Sequence, residues 1–188
     1  MATASAAADN ADGALPVEER LAAMRTVPGT KRAFRAMRVP GSSSKAQNLN
    51  YALEHMLGDA EVVVLLDADH HPRRDCLGRL VATLVRQPHV VATQGAVLVE
   101  RGGPNRFVRR MIDGSEWALW NFWGPAFSLL VGSAYFGGGN AAWRPHVLRS
   151  LAFDASMITE DIDVSIRALA AGHRMQIVPW AVVGELCP

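Results

Sequence analysis

Apolar positions along this chain follow two rhythms. Short unbroken apolar runs predict buried strands, and longer segments with apolar residues every three or four positions predict helices. Val62–Leu66 is such a run and predicts a strand. His89–Glu100 predicts a strand, or a strand pair broken at Gly95, and Met175–Glu185 a last strand that bends or lies at an edge at Pro179. Arg35–Gly41 predicts a short strand and a turn. In the segment after it, Ala46, Leu49, Leu53 and Met56 recur at helical steps, with Ser44 as N-cap and Gly58 as stop. Pro72–Gln87 predicts a helix with Pro72 in its first turn and Leu77, Leu80, Val81, Leu84 and Val85 on its apolar face. Phe107–Trp123 predicts another. Thr159–Ala171 predicts one capped by Thr159, ended by Gly172 and packed through Ile162, Ile166 and Leu169.

Strands that alternate with helices argue an α/β fold with a mixed, mainly parallel sheet flanked by helices. No repeat and no internal linker divides the chain, so residues 26–188 read as one domain. Residues 1–25, Ala-rich and without a secretory pattern, read as a flexible tail. Trp117–Phe136 is uncharged and long enough to cross a bilayer. Asn121 and Gly124-Pro125 interrupt it, and a glycine run follows at once, so a buried or interfacial helix leading into a loop is the expectation.

Charge changes this picture in one place. The net charge is +1, which gives no case for a nucleic-acid partner. Yet from Arg20 to Leu53 every charge is positive. That stretch is either a solvated basic face or a surface for a phosphate-bearing ligand or an anionic membrane. The two cysteines, Cys76 and Cys187, form no disulfide framework or zinc pattern, and a reducing cytoplasmic setting follows.

The candidate chemistry starts where the Val62–Leu66 run ends, at Asp67 and Asp69. Ligands of open α/β sheets sit beyond the carboxyl ends of the strands, and side chains at i and i+2 of a strand share a side. Two carboxylates so placed repel unless a cation lies between them, and Mg2+ or Mn2+ suits carboxylate oxygens. The plain alternative is a solvated turn, with Asp69 capping the helix at Pro72. Lys45 opens a helix, where anions bind, or is an ordinary exposed lysine. Gly137–Gly139 before Asn140 allows close backbone approach to a ligand, or makes a turn. Glu160 and Asp161 either complement a helix dipole or include a general base. Trp117, Trp120 and Trp123 read as core before sugar platform, and His70 and His71 as polar loop residues.

The order of these signals is more specific than any one of them. K-A-x-x-L-N at Lys45–Asn50 precedes D-A-D at Asp67–Asp69. A Gly-rich loop with Asn and Arg follows at Gly137–Arg144, then T-E-D at Thr159–Asp161, then G-x-R before a final strand and Glu185. This combination resembles family 2 glycosyltransferases, in particular their membrane-embedded, cellulose-synthase-like branch, over Arg35–Pro188. The resemblance implies a GT-A-like fold and inverting transfer of a sugar from a nucleotide sugar, usually a UDP-sugar, to a glycan or other hydroxyl acceptor. It implies Mg2+ or Mn2+ at Asp67 and Asp69, with Asp69 ahead of Asp67 as direct ligand. It places Lys45 beside the nucleotide, Gly138, Gly139 and Asn140 near the sugar and acceptor, Asp161 as catalytic base and Glu160 as its neighbour. It also implies work at the cytoplasmic face of the plasma membrane.

Three departures from the family pattern set further expectations. No P-x-x-N-E-like strand and no uridine-holding acidic motif precede Lys45, no Q-x-x-R-W motif follows Pro188, and the transmembrane helices are missing. The sheet is therefore expected to be incomplete, the domain partial and the nucleotide affinity reduced. The rival expectation is a truncated, non-catalytic relative that acts as a binding module or as part of a split enzyme. A different Mg2+-dependent phosphate enzyme, such as a nucleotidyltransferase, is a third.

Overall fold

The structure is a computed structural model that describes residues 39–102 and 105–187. The tail at residues 1–25, most of the strand expected at Arg35–Gly41 and most of the basic stretch before Lys45 lie outside the described residues. Among the described residues, five strands form one sheet: β1 (Val63–Leu65), β2 (His71–Pro72), β3 (Val90–Gly102), β4 (Ala141–Trp143) and β5 (Arg174–Cys187), in the order β1-β4-β3-β5-β2. The helices are α1 (Lys45–His55), α2 (Cys76–Arg86), α3 (Arg106–Ala118), α4 (Gly124–Val131), α5 (Pro145–Leu151) and α6 (Glu160–Ala170).

The expected mainly parallel sheet is not what forms. Only β3 and β5 pair in parallel, whereas β1–β4, β3–β4 and β2–β5 are antiparallel. Alternation of strands and helices predicts parallel neighbours only when each helix returns the chain to the sheet's starting end. The helical excursion from Arg106 to Val131 does not do this. It leaves from the carboxyl end of β3 and delivers the chain to the carboxyl end of β1, so β4 enters from there and runs in reverse.

Several elements differ locally from the sequence pattern. His71 and Pro72 form a short outer strand against β5, where a proline's missing N–H is tolerated, and the helix waits until Cys76. Asp69 therefore caps nothing. β3 runs unbroken through Gly95, where its pairing steps from Val178 to Val182 of β5 across the irregularity that holds Pro179. At Gly95 a methyl group would lie 2.3 Å from both the Ala181 carbonyl oxygen and Asn140 Nδ2, so only glycine fits the strand contact. The helical path does not stop at Gly124-Pro125. It loosens into a π turn at Leu119–Trp123 that accommodates Pro125, and ends at Gly132 with φ 73°. In α6, Val164, Ser165 and Ala168 face the core while Ile162 and Ile166 are exposed, so its buried face is rotated from the expected one.

α2 packs on β3, β4 and β5, α3 on β3, α1 on α5, and α5 on α6. The core is continuous across Leu80, Leu84, Phe136, Trp143, Leu148, Val164, Val178 and Val183. Phe136 sits edge-on to Trp143 with ring centroids 5.6 Å apart, which locks the entry to β4 against the core. Among the described residues, no helix is long and apolar enough to cross a membrane.

Candidate active site

Strand register determines what meets at the sheet end. Leu65 is paired with Ala141, and continuing that antiparallel register two residues outward sets Asp67 opposite Gly139. His71 is paired with Gly184, and one step outward sets His70 opposite Glu185. The link from Leu66 to His70 joins one outer strand to the other and must cross the sheet there. It does so as a turn closed by the His70 N–H donating to the Asp67 carbonyl at 3.1 Å. Asp67 and Asp69 thus belong to a turn beyond the strand, and strand alternation is not what orients them.

Two consecutive glycines are the meeting point of segments far apart in sequence. A methyl group on Gly138 would lie 3.0 Å from Asp161 Oδ2 and 3.8 Å from Lys45 Nζ. A methyl group on Gly139 would lie 2.5 Å from Asp67 Oδ2 and 2.6 Å from His70 Cε1. Gly138 also has φ 84°, a conformation that favours glycine. The structure therefore gathers Lys45, Asp67, Gly138, Gly139 and Asp161 around one short loop. Lys45 Nζ donates to Asp67 Oδ1 and, at 3.0 Å, to the Gly138 carbonyl. Ser44 caps α1 through the Gln47 N–H at 3.2 Å, which fixes the start of the helix that carries Lys45.

Asp161 lies in the first turn of α6, half-buried, with Oδ1 accepting from the Ile162 N–H at 2.8 Å. Thr159 occupies the cap position but its side chain makes no cap hydrogen bond, contrary to the expected cap. Glu160 is half-buried beside Asp161. Asp69 is exposed at the turn. Asn140 turns into the core: it is fully buried, its Nδ2 donates to the Ala96 and Ala181 carbonyls at 2.8 and 2.9 Å, and Cys76 Sγ donates to its Oδ1 at 3.2 Å. Burial pushes the Cys76 thiol up to about 11.

Four further side chains hold this arrangement, and the sequence pattern did not single out two of them, Gln94 and Ser165. Gln94, inside the core, accepts from the Gly137 N–H at 3.0 Å and donates to the Gly139 carbonyl at 3.0 Å, so it clamps both ends of the glycine run. Ser165 accepts from the Phe136 N–H at 2.8 Å and donates to the Asp161 carbonyl at 2.7 Å, joining the loop to α6. Trp120 lies beneath Gly137 and donates to Glu116 at 3.0 Å, while Trp117 and Trp123 are exposed. His70 is read from the sequence as a polar loop residue, but its side chain is only 3% exposed. Its Nε2 lies 3.5 Å from Asp67 Oδ2 and 3.9 Å from Glu185 Oε2. Burial lowers the His70 pKa, with the charges of Asp67 and Asp69 opposing. Burial, followed by repulsion from Glu116, Asp69 and Asp67, raises that of Glu185. The signal that could have joined His70 to Glu185, the latter already named in the motif order, is their register across β2 and β5, which periodicity does not carry.

Among the described residues, no group of three or more His, Cys, Asp and Glu side chains is placed to hold a metal ion. The donors present nevertheless suit a hard divalent ion: two carboxylates from one turn, one of them exposed. Mg2+ keeps waters and shares its shell with substrate phosphates, so one or two protein carboxylates suffice.

Solved structures of similar shape include a mannosyltransferase from Pyrobaculum calidifontis in complex with GDP-Man and Mn2+. It has a TM-score of 0.63 and 22% identity, over 98% of this chain and 47% of that one. Glucosyl-3-phosphoglycerate synthase from Mycobacterium tuberculosis is similar in its complex with phosphoglyceric acid, with a TM-score of 0.61, 16% identity, and 98% and 61% of the two chains covered. It is also similar in its complex with Mn2+, UDP-Glc and phosphoglyceric acid, with a TM-score of 0.59, 15% identity and coverage of 100% and 60%. This chain thus spans about half to three-fifths of the length of those proteins, and at these identities the likeness is one of fold. No curated protein matches the sequence. The model of the family described as glycosyltransferase like family 2 matches residues 7–188, nearly the whole chain, and the protein belongs to that family.

Proposed function

We propose that residues 26–188 form a partial catalytic domain of an inverting glycosyltransferase of the cellulose-synthase-like branch. It moves a sugar from a nucleotide sugar, a UDP-sugar before others, to a hydroxyl of a glycan or other acceptor. One observation carries this reading: Lys45, Asp67 and Asp161, from three distant segments, converge on Gly138 and Gly139. Two glycines bordered by one ammonium and two carboxylates suit a sugar diphosphate bound beside them.

In this reading Asp69 and Asp67 hold Mg2+ or Mn2+, which when bound withdraws charge from the leaving diphosphate. Lys45, bonded to Asp67 Oδ1, neutralises the same group from beside that carboxylate. Asp161, on the same side of Gly138 as Lys45, takes the proton of the attacking hydroxyl, and Glu160 supports it at the helix start. Asn140 acts from behind the two glycines through its backbone hydrogen bonds. The test is UDP release from a panel of UDP-sugars in Mn2+ with soluble glycan acceptors, with the product anomer assigned by NMR. Inversion at the anomeric carbon is expected. Retention, or UDP release no faster than in buffer with every donor, contradicts the reading.

A membrane surface at the cytoplasmic face is part of the same proposal. α3 begins with the exposed Arg106, Arg109 and Arg110, and the helical path continues to Leu129 and Leu130, which are 86% and 87% exposed. Cationic and apolar exposure on one segment suits anionic headgroups and the acyl boundary beneath them. The chain is expected to co-sediment with phosphatidylserine-containing vesicles, less so at high salt, and the double variant Leu129→Asp with Leu130→Asp is expected to stay in the supernatant. Equal binding of the wild type to neutral vesicles, or of the double variant to anionic ones, contradicts it.

A further inference from the structure

We propose that His70 is a positioning residue, which bridges Asp67 on one side of the site to Glu185 on β5 and fixes the carboxylate of Asp67 over the Gly138–Gly139 floor. This rests on the reading of Asp67 as part of the diphosphate site. Three observations lead to it.

The first is the tautomer. The Asp67 backbone N–H donates to His70 Nδ1 at 3.3 Å, so Nδ1 is the acceptor and the neutral ring carries its proton on Nε2. That N–H faces Asp67 Oδ2 at 3.5 Å and Glu185 Oε2 at 3.9 Å, electrostatic contacts longer than a direct hydrogen bond. The second is how the two oxygens of Asp67 are divided. Oδ1 takes the Lys45 ammonium and Oδ2 faces the imidazole, so each is held by a different partner. The third is packing. The ring is almost wholly covered, and Gly139 leaves room for His70 Cε1 and Asp67 Oδ2 together, so both groups pack against the loop. The register of β2 on β5 brings His70 and Glu185 together independently of any side-chain conformation.

A residue that acts through a ligand affects metal affinity more than folding, by about ten- to a hundredfold. His70→Leu fills similar space but removes the donor, whereas His70→Gln keeps an N–H at comparable reach. The full chain is titrated with UDP in Mn2+ and in EDTA. His70→Leu is expected to weaken the Mn2+-dependent binding about ten- to a hundredfold and to leave binding in EDTA unchanged, and His70→Gln to recover most of the loss. A His70→Leu chain that binds as the wild type does, or a folded His70→Gln chain as weak as His70→Leu, overturns the proposal. Long-range proton–nitrogen NMR of the imidazole gives a second decision that needs no nucleotide. The Nε2–H tautomer, with ring resonances moved by Glu185→Gln, supports the bridge, and the Nδ1–H tautomer or an unmoved ring overturns it. A wild-type chain with no Mn2+-dependent UDP binding counts against the reading of the whole site, and the bridge is then decided by the NMR result.

Discussion

Asp161→Asn is expected to reduce sugar transfer by about two to four orders of magnitude while leaving UDP affinity nearly unchanged. The substitution of one atom has two opposed effects. Asparagine keeps an oxygen where Asp161 Oδ1 accepts from the Ile162 N–H, so the first turn of α6 retains its hydrogen bond. It loses the charge that complements the helix dipole, a cost of about 0.3–1 kcal/mol. It also loses the ability to take a proton, and a hundred- to ten-thousandfold in rate corresponds to roughly 3–5 kcal/mol of barrier. The chemical loss dominates. Lys45 and Asp67 keep their own ion pair, so the diphosphate side of the site is not expected to respond. Parallel measurement of transfer rate and UDP dissociation constant separates the two. If UDP binding collapsed together with turnover, Asp161 would be holding the ligand or the fold and would not be its base.

What the sequence disclosed of this site was an order of motifs, and what it hid was register. Lys45, Asp67, Asp69, Gly138, Gly139 and Asp161 carry chemistry in their residue types, and their succession along the chain points to one site. Gln94, Ser165 and His70 carry theirs in position. Gln94 lies in an apolar strand whose neighbours give no reason to expect a clamp on a loop some forty residues away. His70 gains two carboxylate neighbours only because β2 pairs with β5 one residue further on. The same blindness explains the sheet. Strand and helix periods are local, but strand direction depends on which end of the sheet a connection returns to, and the path from Arg106 to Val131 returns to the end it left. In α6, Ile162, Ile166 and Leu169 suggested the buried stripe, yet Val164, Ser165 and Ala168 face the core, and of the expected three only Leu169 packs against it. Of the three tryptophans at helical spacing, only Trp120 is buried, because the π turn redirects the helix after Leu119.

The central claim is that this turn of two aspartates serves a nucleotide diphosphate through a divalent ion, and Asp69→Ala tests it with the largest expected change in binding. Asp69 is exposed at the turn, so its removal is expected to alter stability by no more than about 0.5 kcal/mol, and the thermal midpoint serves as the folding control. Asp67 already pairs with Lys45 and faces His70, so Asp69 is the carboxylate with both oxygens open to an incoming ion and Asp67 the second to join it. The deciding measurement is a calorimetric titration of UDP into wild type and Asp69→Ala, each with Mn2+ and with EDTA. Wild-type binding should tighten at least about tenfold with Mn2+, the scale set by metal-ligand losses, and the variant should bind equally in both conditions. Wild-type binding indifferent to Mn2+, or a variant that keeps the full Mn2+ response, would contradict the account.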